Sequence, residues 1–220
     1  PDTPERDLRP ATAALSSSKQ AMETAPHLSS KAAMDQNAFY VNLFVNQPAW
    51  SAPEPNQDEA ARWSKIASFL EFVLRQTNRE DPNRTLRILD VGCGRGWLTN
   101  LAGAYGICEG IEPVAGVVEH ARRMFPHIRF EAGTLESVLA RPDFRPFDVV
   151  LCSEVIEHVP HAQKPGFVNQ LARLIAPDGY LILTTPRGEV WEDWRRIAPP
   201  NQPVEDWVTE AQLGELLTNG

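Results

Sequence analysis

The sequence predicts an α/β fold, a doubly wound and mostly parallel sheet with helices on both faces. Three observations carry that expectation. From Leu86 onward, short apolar runs alternate with helical stretches, the pattern of parallel strands joined by crossover helices. The first run, Arg87-Ile88-Leu89-Asp90-Val91, flows directly into Gly92-Cys93-Gly94-Arg95-Gly96. Ile88, Leu89 and Val91 read as a strand covered on both faces, and the alternate glycines let the backbone turn sharply and approach a ligand closely. A carboxylate, Glu112, then closes the next apolar run 20 residues after Gly92.

Ahead of the sheet, residues 1–37 are rich in Ala, Ser, Thr and Pro and read as an extension or linker with room for a short helix. Residues 38–85 read as a lid followed by a helix. Phe39-Tyr40-Val41-Asn42-Leu43-Phe44-Val45 is unusually apolar, and the lid is expected over residues 40–50. Asn56 with Glu59 three residues on has the form of a capping box, and Trp63, Ile66, Leu70 and Val73 share one helical face. Residues 78–85 form a polar loop. Strands are expected at 86–91, 107–111, 128–131, 147–152 and 180–185, with helices starting near Trp97, Val114, Leu135 and Lys164. Pro177-Asp178-Gly179 reads as a turn feeding the fifth strand. Residues 186–208 read as a long irregular span, and a last helix starts near Thr209 with Leu213, Leu216 and Leu217 on a partly apolar face. No internal repeat is visible.

Composition narrows the class. A chain of 220 residues buries one core of normal size with material left for a lid. Its net charge of −8 argues against a polyanionic partner, so nucleic acid is not the expected ligand. No apolar run approaches the roughly 20 residues that cross a bilayer, and no secretory signal is visible, so a cytoplasmic protein with no membrane partner is expected. Cys93, Cys108 and Cys152 lack paired metal spacing and read as buried free thiols in a reducing compartment. Because Pro1 rather than Met opens the chain, the native start is expected to lie further upstream.

The glycine spacing discriminates between cofactors. A dinucleotide fingerprint is G-x-G-x-x-G, with a helix N-terminus facing a pyrophosphate. Here the glycines run G-x-G-x-G with Asp90 before them, and an acid there suits a cationic ligand tail better than a phosphate. An acid about 20 residues beyond the first glycine, as Glu112 is, suits ribose hydroxyls. The run resembles the first motif of the class I S-adenosylmethionine-dependent methyltransferases, whose sheet is Rossmann-like. That resemblance implies S-adenosylmethionine as cofactor and S-adenosylhomocysteine as product. It places Asp90, Gly92, Cys93, Gly94 and Gly96 at the cofactor, with Glu112 as the ribose-binding acid and Pro113 beside it. The plainer reading of the same turn is that it merely packs helix on strand, and the later motifs weigh against that.

Gly133-Thr134-Leu135-Glu136 looks like the family's adenine-contacting turn, with Gly133, Thr134 and Leu135 as the contacts. Thr134 serves equally well as a helix cap, and the two roles are compatible. The stretch Phe147-Asp148-Val149-Val150-Leu151-Cys152-Ser153-Glu154-Val155-Ile156-Glu157-His158-Val159-Pro160 closely resembles the family's motif after the fourth strand, as found in ubiquinone-biosynthesis-like O-methyltransferases. Together the motifs extend the resemblance over residues 86–186. It implies that Ser153 and Glu154 border the methionine end of the cofactor and that Glu157 and His158 face the acceptor. The family's sheet ends in an antiparallel hairpin after the last helix, so the core at residues 86–220 is expected to be truncated before it.

Methyl transfer from a sulfonium is an in-line displacement, in which orientation and exclusion of water supply most of the acceleration. A hydroxyl acceptor must also lose its proton, and a base with a pKa near the working pH helps by about 10²–10⁴-fold. His158 is the candidate general base, with Glu157 beside it; its plainer role is to cap or pack the turn. The expected reaction is O-methylation of a small-molecule acceptor, with nitrogen and carbon acceptors also compatible with the fold.

Two other functions fit parts of the sequence. Glu154, Glu157 and His158 share one helical turn and resemble the metal ligands of small-RNA 3′-terminal 2′-O-methyltransferases. That family takes a second histidine from beyond the fifth strand, and this sequence has no histidine after His161, so no metal is expected. A non-catalytic cofactor-binding module serving a larger assembly is the other reading; the intact glycines, Glu112 and the Glu157-His158 pair argue against decay. Under either reading, membership of a longer chain or a homo-oligomer is compatible with the sequence. Trp191, Trp194 and Trp207, with the nearby arginines, either line an acceptor pocket or anchor an irregular segment on the core.

Overall fold

The computed structural model of the protein describes residues 30–198 and 202–218. Its strands are β1 (Leu86–Val91), β2 (Gly106–Glu112), β3 (Arg129–Ala132), β4 (Phe147–Ser153) and β5 (Ile175–Thr184). Its helices are α1 (Ser30–Val41), α2 (Pro48–Ser51), α3 (Gln57–Glu80), α4 (Trp97–Ala102), α5 (Ala115–Met124), α6 (Leu135–Leu139), α7 (Lys164–Leu174), α8 (Trp191–Ile197) and α9 (Glu210–Thr218). The strands form one sheet in the order β3-β2-β1-β4-β5, with every pairing parallel. Chain order reverses between β1 and β4, which opens a crevice beyond the carboxyl ends of those strands.

Alternation along β1 sets the layers. Ile88 faces a cluster with Ile66, Leu70 and Val73 of α3 and with Trp97 and Leu98 of α4. Leu89 and Val91 point the other way, into a cluster with Leu135 and Val138 of α6 and Leu171 and Leu174 of α7. Both faces of the sheet are therefore covered, as the apolar runs predict. The capping box at the start of α3 forms in both directions: Asn56 N–H donates to Glu59 Oε2 at 2.8 Å, and Glu59 N–H donates to Asn56 Oδ1 at 3.0 Å.

The structure corrects the sequence reading at three places. Pro177-Asp178-Gly179 does not precede β5 but lies inside it, as an irregularity where the register with β4 shifts between Phe147 and Val149. Asp178 takes φ +63° there, and pairing of Ile175 with Phe147 carries the strand through. The span 186–208 holds a 3₁₀ turn, Gly188–Val190, and then α8. Glu192 and Asp193 occupy the first turn of α8 and Arg195 and Arg196 the last, which suits the helix dipole and forms (i, i+3) ion pairs. At the other end, α1 crosses the expected boundary at residue 37 and runs into a π-helical turn, Asn42–Asn46. Residues 1–29, most of the expected extension, lie outside the described part.

All three cysteines are free thiols, with Cys93 and Cys152 buried. Among the described residues, no helix is long and apolar enough to cross a membrane.

Candidate active site

The loops leaving β1 to β4 open into one cleft of about 1290 Å³. The turn after β1 is shaped by its glycines: Gly92, Gly94 and Gly96 all have positive φ, at 65°, 51° and 88°. At Gly92 a Cβ would stand 2.5 Å from Val155 Cγ2, so the turn after β1 and the turn after β4 meet at van der Waals distance only because Gly92 lacks one. Gly92, Cys93 and Gly94 line the cleft, whereas Gly96 lies behind it against the Phe130 ring, where it lets α4 start.

Two carboxyls bracket this turn. Asp90, at the end of β1, is buried, and its Oδ2 accepts the Thr99 hydroxyl at 2.6 Å. Glu112, at the end of β2, accepts from Val114 N–H at 3.1 Å and from Gly94 N–H at 3.3 Å. Burial pushes both up to about 7, with the backbone amides pulling Glu112 the other way. Both carboxyls line the cleft, where a hydrogen-bond donor or a cation would be well received. Pro113, Gly133, Thr134 and Leu135 continue the same wall. Thr134 stands at the N-cap of α6 with an extended backbone, yet its side chain makes no cap bond. It bonds the Glu136 carboxylate instead, which holds that carboxyl below its usual range.

The turn after β4 continues the lining with Ser153, Glu154, Glu157 and His158. Ser153 Oγ lies 2.9 Å from Thr184 Oγ1, which donates to Glu154 Oε1 at 3.0 Å. Glu154 adopts φ +57°, and its other oxygen is 3.4 Å from the Arg62 guanidinium. Glu157 is buried, accepts the Thr185 hydroxyl at 3.1 Å, and is pushed up to about 8 by burial and by the charge of Glu154. His158 Nδ1 lies 2.8 Å from the Val204 carbonyl. A carbonyl only accepts, so the neutral ring carries its proton on Nδ1 and leaves the Nε2 lone pair free. Nε2 is 3.8 Å from Glu157 Oε1, beyond hydrogen-bond range. Burial lowers the pKa of His158 and favours this neutral form.

The sequence marks residues 40–50 as a lid without saying which of its side chains meet the site, and it gives Arg62 and Arg95 no signal of a role there. Tyr40 packs edge-on to the His158 ring at 6.1 Å, and Phe44 stacks with Tyr40 and covers Gly94. Arg62 looks in sequence like any solvated helix charge. Arg95 sits within the glycine motif, but its total burial against Glu59 is a tertiary fact. The tryptophans pack on one another and reach the edge of the cleft. Trp191 and Trp207 pack at 4.9 Å, while Trp194 and Trp207 also edge the cleft. Among the described residues, no three His, Cys, Asp or Glu side chains converge as metal ligands.

This geometry has counterparts among known proteins. Residues 58–219 match the family described as methyltransferase domain. The fold is that of the class I S-adenosylmethionine-dependent methyltransferases, and the chain belongs to the methyltransferase domain family. It is 34% identical over 130 residues to a ubiquinone biosynthesis O-methyltransferase of a Caulobacter species, covering 55% of this chain and 50% of that protein. It is 28% identical over 178 residues to the mitochondrial ubiquinone biosynthesis O-methyltransferase of Bos taurus, covering 74% of this chain and 46% of that one. The chain thus spans about half the length of the curated relatives it matches. Magnesium protoporphyrin IX methyltransferase from Synechocystis, solved with bound S-adenosylmethionine, shares the fold with a TM-score of 0.59 at 19% identity, covering 90% of this chain and 88% of that one.

Proposed function

We propose that the protein binds S-adenosylmethionine and transfers its methyl group to a hydroxyl of a small-molecule acceptor. The observation that carries this reading is the convergence of two turns, Gly92–Gly94 with Glu112 and Glu154–His158, on the walls of one cleft. The donor set fits the cofactor: Glu112 is an acceptor for ribose hydroxyls, Asp90 an acid facing a cationic tail, and Leu135 an apolar surface for the adenine. Gly94 leaves room against Phe44 that a larger residue would fill.

When bound, the cofactor supplies an electrophilic methyl group on a sulfonium. The chain's own residues orient the acceptor and exclude water. Tyr40, Phe44 and Trp50 form the roof of the cleft. His158 takes the acceptor's hydroxyl proton at Nε2, because its Nδ1 proton is committed to Val204. The charges of Glu205 and Glu154 favour the imidazolium as it forms, while Glu157, raised to about 8, stays largely protonated beside it at neutral pH. Three free thiols support a reducing compartment, the cytoplasm, as the setting.

Isothermal titration with S-adenosylhomocysteine, followed by methyl transfer to a panel of phenols and catechols, tests the proposal. Micromolar binding and a methylated oxygen are expected. Absence of binding overturns the cofactor reading, and binding without transfer to any acceptor leaves a cofactor module rather than an enzyme.

A further inference from the structure

We propose that Arg95 is a positioning residue that couples ordering of the lid to occupation of the glycine turn. The inference rests on the reading of that turn as the cofactor cradle. Arg95 is a large and fully buried side chain, with none of its surface exposed. Its guanidinium makes four bonds to two groups of partners. On one side, Nη1 and Nη2 grip both oxygens of Glu59, at 2.7 and 2.6 Å, in a bidentate fork at the start of α3. On the other, Nε donates to the Ala52 carbonyl at 2.6 Å and Nη2 to the Glu54 carbonyl at 3.1 Å. Residues 52–54 are the segment by which the lid joins α3.

The lid places aromatic side chains over the cofactor side of the cleft. Phe44 lies 3.5 Å from where a Cβ of Gly94 would be, and Trp50, just before the gripped segment, lines the same cleft. A further tether holds the end of α2, where His120 Nε2 stands 3.1 Å from the Ser51 carbonyl. The turn is closed by its own backbone bonds: Gly92 N–H and Cys93 N–H donate to the Ile111 carbonyl, and Gly96 N–H donates to the Cys93 carbonyl. To these Arg95 adds a side-chain tie from the turn to the carbonyls of residues 52 and 54. The Gly94 N–H, one residue before Arg95, donates to Glu112. A contiguous path thus runs from the lid carbonyls through Arg95 and Gly94 to the acid that faces the ribose. A ligand that steadies Gly94 and Glu112 steadies the lid, and by reciprocity an ordered lid tightens the ligand.

A buried pair that only stabilised the fold would lower the melting temperature without altering how the lid responds to ligand. Hydrogen exchange of the amides of residues 40–54, with and without saturating S-adenosylhomocysteine, separates the two roles. In the wild type, ligand is expected to slow exchange in the lid by on the order of tenfold. Arg95→Lys keeps a charge for Glu59 but cannot span both carbonyls and the carboxylate. It is expected to weaken S-adenosylhomocysteine by about 10–100-fold, within the usual range of a coupling free energy, and to reduce ligand-induced protection of the lid to less than about twofold at saturation. Wild-type protection in saturated Arg95→Lys overturns the coupling, as does a wild-type lid that ignores bound ligand. A wild type that fails to bind S-adenosylhomocysteine overturns the cofactor reading instead. Should Arg95→Lys show no cooperative melting, Glu59→Gln carries the test. It keeps the guanidinium on Ala52 and Glu54 and weakens its anchor, so partial loss of lid protection supports the coupling and full protection overturns it.

Discussion

The turn after β1 and the turn after β4 meet at Gly92 and Val155 and line one cleft, yet they hold their shapes by different means. Much of the first is built from its own backbone. Its glycines adopt φ values that side chains resist, and Glu112 is held by the amides of Gly94 and Val114. The second is held from a distance, with Glu154 bound by Arg62 and Thr184, Glu157 by Thr185, and His158 by the Val204 carbonyl. Lys164, fully buried, ties the loop behind it by donating to Val159 O at 2.5 Å and reaching Asp206 at 3.5 Å. A half made largely of local backbone has one shape and suits one invariant ligand. A half made of distant loops takes the shape those loops impose, which on the proposed reading gives acceptor choice room to vary.

The largest expected effect tests whether the halves are functionally separate. His158→Ala is expected to cut turnover by about 10²–10⁴-fold, the range for loss of a general base, while S-adenosylhomocysteine affinity measured by calorimetry stays within about twofold. The wild-type rate should rise with pH and level off, with a midpoint below the ordinary 6.5 because burial favours the neutral imidazole. That limb should vanish in the variant. A variant with full turnover and a flat profile would make His158 structural and leave orientation as the source of catalysis.

Gly94→Val attacks the other half. A β-branched residue at φ +51° is strained, and its side chain would press toward the Phe44 ring. Cofactor affinity should fall by more than about 100-fold, since the residue fills the cradle itself. Circular dichroism should show the sheet and helices intact; a wild-type dissociation constant would remove Gly94 from the binding surface.

Glu112→Ala should be milder, at about 1.5–3 kcal/mol of cofactor binding, as for lost charged hydrogen bonds. The same acid has a signature in stability. Asp90 and Glu112 are raised from 3.8 and 4.5 to about 7 by burial, so the ligand-free fold holds protons that the unfolded chain releases. Their contribution is full below about pH 4 and is lost as pH rises through 7. Glu157, at about 8, extends the window upward. The melting temperature of the ligand-free protein should fall between pH 5 and 8, and the slope should be shallower in Glu112→Gln. An unchanged slope would place the responsible groups elsewhere.

The smallest effect expected is none. EDTA should leave turnover unchanged, because Glu154 and Glu157 are bonded to hydroxyls and to Arg62 and, among the described residues, no three His, Cys, Asp or Glu side chains converge as metal ligands. Loss of activity restored by Mg²⁺ or Mn²⁺ would merge Glu154, Glu157 and His158 into one metal site and revive the RNA reading.

Periodicity and local spacing were enough for the sheet. The apolar runs placed β1 to β4 to within about a residue, and Asn56 with Glu59 announced the start of α3, because both signals depend only on near neighbours. Every residue expected at the site except Gly96 lies on the cleft wall, since a parallel sheet brings the carboxyl ends of its strands together wherever the loops go. The irregular register of β5 needed its pairing with β4 to become visible, although the charge pattern of α8 was legible in hindsight. Tyr40 over His158, Arg62 on Glu154, Val204 behind the imidazole and Arg95 gripping the carbonyls of Ala52 and Glu54 were decided by tertiary structure alone. Each joins segments far apart in the chain, and sequence spacing carries no information about which distant carbonyl or carboxylate a buried donor will meet.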